Sequence, residues 1–229
     1  MAALLAGCGP RPAAEVGKEL FSDPALSTAG SNGFACATCH VVDIPPPRVL
    51  PGYAMNDVTR RPSYWGGTVP SLLEAVNQCM TQFMRGRELT ADEDNSLALK
   101  AYLDELSPSA SAPALPLTVV RNISDVMSGD GTAGDSLYHQ SCANCHGEPH
   151  TGEGQINKQA SVIPDATLMT FGTDPKKGTR PITIEKVRHG KFYGIGGNMA
   201  PFSLEALSDD QLGALLGYLE MFGLPPSVR

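Results

Sequence analysis

The sequence predicts a mainly α-helical chain built as a tandem pair of small domains joined by a Pro/Ala/Ser-rich linker. Three observations carry this. The pentapeptide Cys36-Ala37-Thr38-Cys39-His40 recurs as Cys142-Ala143-Asn144-Cys145-His146. The stretch before each copy also repeats, Gly17-Lys18-Glu19-Leu20-Phe21 against Gly134-Asp135-Ser136-Leu137-Tyr138. Each copy closes on apolar residues spaced i, i+3, i+4, i+7. They are Leu99, Tyr102, Leu103 and Leu106 in the first, and Leu215, Tyr218, Leu219 and Phe222 in the second. That spacing gives a helix one apolar stripe to turn toward a core.

Taken in order, residues 1–12 form a leader and tether. Leu5-Ala6-Gly7-Cys8 resembles the bacterial lipoprotein signal, which implies lipidation of Cys8. The charged region and most of the apolar region of such a signal are missing, so its expected start lies upstream. Residues 13–107 are read as the first domain. Its closing helix is expected to open at a capping box, Thr90-Ala91-Asp92-Glu93, and to end at Ser107-Pro108. Residues 108–130 form the linker, and the Pro- and Ser-rich run from Ser107 to Pro116 reads as a semi-stiff spacer. Residues 131–229 are the second domain, with a capping box at Ser208-Asp209-Asp210-Gln211 and a helix stop at Gly223-Leu224-Pro225-Pro226.

Bulk properties exclude some functions. The 229-residue chain carries a net charge of −7, the wrong sign for a nucleic-acid partner and compatible with a basic protein partner. No run approaches the roughly eighteen apolar residues of a membrane span.

The repeated Cys-x-x-Cys-His suits covalent haem attachment: two thiols add to the vinyl groups and the adjacent imidazole reaches the iron. Structural zinc would need four ligands close together, and these pairs lie far apart in the chain. A thioredoxin-type pair belongs at a strand–helix junction, and no such alternation surrounds either motif. On these residues each half resembles a class I cytochrome c domain. The resemblance implies two covalent haems held by Cys36, Cys39, His40, Cys142, Cys145 and His146. It also implies export before attachment, hence a periplasmic or outer-surface location.

The sixth ligands are read separately. In the second half Met199, within Gly194-Ile195-Gly196-Gly197-Asn198-Met199-Ala200-Pro201-Phe202, occupies the loop where class I cytochromes carry a distal methionine. His189 and His150 are competitors that read as surface or packing residues. The first half has no histidine between His40 and His139, and its one lysine in that interval, Lys100, falls in the closing helix. Candidates are therefore Cys79, Met80, Met84 and, less well placed, Met55. Overlaying Leu72–Cys79 on Thr183–Gly190 sets Cys79 at the place of Gly190. Val76-Asn77-Gln78-Cys79-Met80, with Gly86 and Leu89 following, resembles the first haem domain of dihaem thiosulfate dehydrogenases and the haem subunit of the Sox system. In both, a cysteine here ligates iron. That resemblance makes Cys79 the leading ligand, with Met84 and Met80 as alternatives.

The expected function is electron carriage between redox partner proteins. The alternative is a sulfur-compound oxidoreductase with catalysis at the first haem, where Arg60, Arg61, Arg85 and Arg87 could hold an oxyanion or pair with haem propionates. Two departures weaken it. Asn198 stands where thiosulfate dehydrogenases can carry lysine, and Arg61–Gly67 does not match the substrate site of those enzymes. Leu20–Ser27 resembles the approach to the first haem of dihaem peroxidases, but the displaceable histidine of those enzymes has no counterpart.

Overall fold

The computed structural model describes residues 10–46, 48–172, 178–193 and 197–222. Cys8, Gly194–Gly196 and the stop signal at 223–226 lie outside them. The helices are α1 (Ala13–Ser22), α2 (Cys36–Cys39), α3 (Leu72–Gln82), α4 (Asp94–Glu105) and α5 (Gly131–Ser141), then α6 (Ala143–His146), α7 (Asp165–Phe171), α8 (Thr179–Tyr193) and α9 (Asp209–Glu220). Among the described residues the β pairing consists of a single bridge, Tyr64 to Val69. This is the mainly helical, class I cytochrome c architecture that the sequence predicts. No helix among the described residues is long and apolar enough to cross a membrane.

Two helix crossings organise the chain, α1 on α4 and α5 on α9. At each a glycine faces backbone. A Cβ on Gly17 would lie 2.0 Å from the Ala98 carbonyl oxygen and 2.8 Å from the Tyr102 Cβ. On Gly134 it would lie 2.0 Å from the Ala214 oxygen and 2.7 Å from the Tyr218 Cβ. Only the smallest residue lets two helices approach this closely. Four residues on, the aromatic of each first helix meets the tyrosine of the last. Phe21 packs edge-on against Tyr102 at 5.7 Å, and Tyr138 lies tilted on Tyr218 at 5.5 Å. The repeated Gly-x-x-x-aromatic of the sequence is thus a packing device.

Each crossing anchors an apolar cluster. Phe21, Met80, Met84, Leu99 and Leu103 are buried in the first; Tyr138, Ile184, Leu212, Leu215 and Leu219 are buried in the second. The expected stripes on α4 and α9 supply much of both.

The Ser208 capping box forms: Ser208 Oγ accepts from Gln211 N at 3.2 Å and Gln211 Oε1 accepts from Ser208 N at 2.8 Å. The one expected at Thr90 does not. There α4 starts at Asp94 with Glu93 as its N-cap. The Glu93 carboxylate accepts from Arg87 Nη2 at 2.8 Å, which draws it away from the chain it was expected to cap.

The linker is no free spacer. Ala112 N donates to Arg60 O at 3.3 Å, and Tyr53 Oη donates to Pro116 O at 2.6 Å. Both Thr118 N and its hydroxyl donate to the Glu205 carboxylate, at 2.9 and 2.6 Å. The segment is therefore strapped to both halves.

Two outcomes follow from these contacts. Gly134→Ala or Gly17→Ala forces a methyl into backbone, so denaturant unfolding should show a loss toward the upper end of the ~1–3 kcal/mol typical of overpacking. Burial alone would raise the Glu205 pKa, but the Thr118 hydroxyl and N–H outweigh it and hold it at about 2. Because the folded value lies below the ordinary one, the strap is at full strength above the usual carboxylate range and loosens as pH falls toward 2. The Glu205 side-chain carbon shift should titrate there, and in Thr118→Ala should move upward.

Candidate functional site

An apolar cavity of about 190 Å³ opens beside α2. Cys36, Cys39 and His40, which are the ends of α2 and its C-cap, stand on its wall. This short helix is set locally: the Thr38 hydroxyl accepts from Ala35 N at 3.0 Å, and His40 N donates to Cys36 O at 3.0 Å. His40 Nδ1 donates to the Tyr53 carbonyl at 2.8 Å. A carbonyl accepts only, so Nδ1 carries the ring proton and Nε2 keeps its lone pair. Gly52 lies flat against the ring, where a Cβ would come within 2.3 Å of His40 Cε1. Burial, with Arg61 adding to it and the Tyr53 carbonyl opposing, lowers the His40 pKa. The imidazole is thereby held neutral, the form that binds iron.

The sulfur candidates gather on the same cavity. Along α3 the residues Leu72, Ala75, Val76, Cys79 and Met80 line it, with the C-cap Phe83 continuing the stripe at helical spacing. Met84 and Met55 line it as well. The three methionines also belong to the buried apolar cluster, whereas Cys79 is outside it and only half-buried. Burial, then the nearby Cys36 thiol, pushes the Cys79 thiol up to about 12. Burial raises Cys36 to about 11. Cys39 rises further, through burial and then through Cys79, Cys145 and Cys36. In the protein alone these sulfurs are neutral thiols at neutral pH.

The second attachment segment repeats the anchoring. His146 Nδ1 donates to the Ser161 carbonyl at 2.8 Å, and burial lowers its pKa. Burial lifts Cys142 to about 12 and Cys145 to about 11. Cys142 and Met199 both pack against the second apolar cluster. His189 is not available as a ligand: its ring nitrogens meet Glu185 Oε1 at 2.9 Å and Arg121 O at 3.0 Å. His150 pairs with Asp165 and sets its ring edge-on to Phe222.

The two motif-bearing regions share a boundary. Asn144 Nδ2 donates to Thr38 O at 3.4 Å, joining the two attachment turns. Phe192, Ala200 and Pro201, from the second half, line the first cavity. Phe192 packs on Trp65 at 5.4 Å and on Phe83 at 5.7 Å, and Asn198 Nδ2 donates to Phe83 O at 3.2 Å.

Of the four arginines considered for an oxyanion, only Arg61 lines the cavity. Its Nη2 is held by the Ala54 and Asn56 carbonyls, both at 2.8 Å. Arg60 donates to Ser107 O at 3.2 Å and Arg87 pairs with Glu93. Sequence reasoning missed Gly52, Tyr53, Phe192 and the linker's Leu117. The one signal available was the Gly-aromatic pair in the loop after the first motif.

Residues 129–219 match the family described as cytochrome c oxidase, cbb3-type, subunit III. Cytochrome c-554(547) of Halothiobacillus neapolitanus is 31% identical over 97 residues, covering 40% of this chain and 94% of that protein. A thiosulfate dehydrogenase (TsdBA) structure from Marichromatium purpuratum aligns over 93% of this chain at 18% identity and a TM-score of 0.43. The chain spans about half, 47%, of that protein's length.

The Gly52 contact makes a direct prediction. Gly52→Val should displace the His40 ring and change the ferric absorption spectrum of the holoprotein. Gly30→Val, where an added Cβ meets nothing within 4 Å, should leave the spectrum unchanged.

Proposed function

Because this chain belongs to the c-type cytochromes, and so binds haem c covalently and passes electrons to redox partners, we propose that it is a dihaem electron carrier made of two such domains, residues 13–107 and 131–229. The observation that carries the reading is the anchoring of both motif histidines. Nδ1 of each is committed to a backbone carbonyl, His40 to Tyr53 and His146 to Ser161, leaving Nε2 for iron. Cys36 and Cys39 would hold one group and Cys142 and Cys145 the other, through thioether bonds. A bound haem supplies a one-electron iron couple; the chain's part is to hold it, exclude water and set its potential.

Cys79 is assigned as sixth ligand of the first iron. In its favour, it faces the cavity from the middle of the α3 stripe, while Met80 and Met84 are taken up in the apolar cluster. The raised thiol pKa means that its proton must leave before the sulfur binds as thiolate, a donor that favours ferric iron. Met199 is assigned to the second iron, where a neutral thioether favours the reduced state. The two centres therefore have unequal potentials. We place the protein in the periplasm, with Cys8 as a lipid anchor.

Oxidation of a sulfur oxyanion has less support, since among the described residues only one arginine reaches the cavity and half of its fork is already bonded. Potentiometric titration of the holoprotein should show two one-electron steps at separate potentials. Cys79→Ala should remove the lower step from its position and change one low-spin ferric EPR signal. An unchanged signal would eliminate Cys79 and leave Met84 and Met80. Steady turnover with thiosulfate or tetrathionate would replace electron carriage with catalysis.

A further inference from the structure

The mechanism so far makes no use of Arg188, yet its side chain is among the largest that are fully buried, with the residue 1% exposed. A guanidinium is costly to bury and persists only where acceptors meet it. Here Nη1 donates to three carbonyls, Leu207 O at 2.7 Å, Phe202 O at 3.2 Å and Ser203 O at 3.4 Å. Nη2 donates to Asp209 Oδ1 at 2.6 Å. Phe202, Ser203 and Leu207 are themselves buried, so those carbonyls have no water to turn to.

These bonds belong to a larger seam between the end of α8 and the segment that carries Met199. Phe202 N donates to Val187 O at 2.8 Å, and Lys191 N donates to Met199 O at 2.9 Å. Between them Gly190 (φ +48) packs so closely that a Cβ would lie 2.6 Å from both Met199 O and Pro201 N. Arg188 extends the seam from Phe202 onward to the first turn of α9.

The first half has the same device in smaller form. Asn77 stands at the place of Arg188 when the repeats are overlaid. Its side chain bonds both backbone groups of Leu89, accepting from N at 2.8 Å and donating to O at 2.9 Å. In both copies, then, a polar side chain one turn before the end of the helix ties down the segment that leads into the closing helix.

We propose that Arg188 is a positioning residue for the second haem, holding residues 199–207 so that the Met199 sulfur stays on the iron. The proposal rests on the reading of Met199 as ligand. Holding a loop differs from merely stabilising the fold, because it changes how readily another ligand replaces the thioether.

The test uses ferric holoprotein, and reads the far-red sulfur-to-iron band and its loss as imidazole is added. Met199→Leu defines the part of the band due to this centre. A band unaffected by Met199→Leu defeats the ligand assignment itself. Given a Met199-dependent band, Arg188→Gln should lose it, and Arg188→Lys should recover part of it. Because Arg188→Gln also strips buried carbonyls of their donor and so threatens the fold, the decisive pair is Asp209→Asn and Asp210→Asn. Both remove a first-turn carboxylate from α9, but only Asp209 meets Arg188. Asp209→Asn should give up the thioether at severalfold lower imidazole, with Asp210→Asn matching wild type. Equal imidazole sensitivity in Asp209→Asn and wild type, or in Asp209→Asn and Asp210→Asn, would overturn the proposal even with Met199 confirmed as ligand.

Discussion

The contact on which the rest of the structure depends is backbone against backbone at the helix crossings. Gly17 on Ala98 and Gly134 on Ala214 bring two helices together with no side chain between them. That closeness fixes where α1 and α5 end, and the attachment segments follow from those ends. In the second half the sequence passes from Ser141 into Cys142 without a break in the turn, and in the first half a longer loop intervenes before Cys36. The same crossing thus serves two different approaches to the motif. An apolar cluster grows outward from each, and the aromatic pair beside each glycine locks the angle.

From that frame each motif histidine gains its second constraint. A ring bonded at Nδ1 to a loop carbonyl cannot rotate freely or change tautomer without losing the bond. The loops that supply these carbonyls are unlike in sequence and length, yet both do the same work. Opposite behaviour is seen on the sulfur side. Helix α3 keeps its course through Cys79 to Gln82, so the cysteine side chain joins a continuous stripe. At the aligned place in α8, Gly190 leaves helical geometry and lets the Met199 segment pack against it. One repeat sets Cys79 on the helix itself, and the other brings the Met199 segment in from the loop beyond. Divergence of one residue, cysteine against glycine, separates the two arrangements.

Much of the fold was legible because its signals are local. The repeated pentapeptide, the stripes on α4 and α9 and the Ser208 capping box involve residues within a few positions of one another. What escaped notice depends on distant partners. The Thr90 box has suitable residues, but Glu93 is claimed by Arg87. The 107–116 run has a spacer's composition, yet Tyr53 and Arg60 hold it in place. Arg188 gives no sign of its role in the sequence, because nothing near it in the chain reveals the carbonyls that surround it. The candidate site shows the same division. The motif cysteines and histidines were named from spacing alone, whereas Gly52, Phe192 and Leu117 join the cavity only through tertiary packing.

The central claim is that both copies of the motif hold haem in one electron-carrying chain. Intact mass and peptide mapping of the purified holoprotein test it most directly. The account predicts two haem additions per chain, one on the peptide containing Cys36 and Cys39 and the other on the peptide containing Cys142 and Cys145. A single addition, with either pair of thiols free, would contradict it.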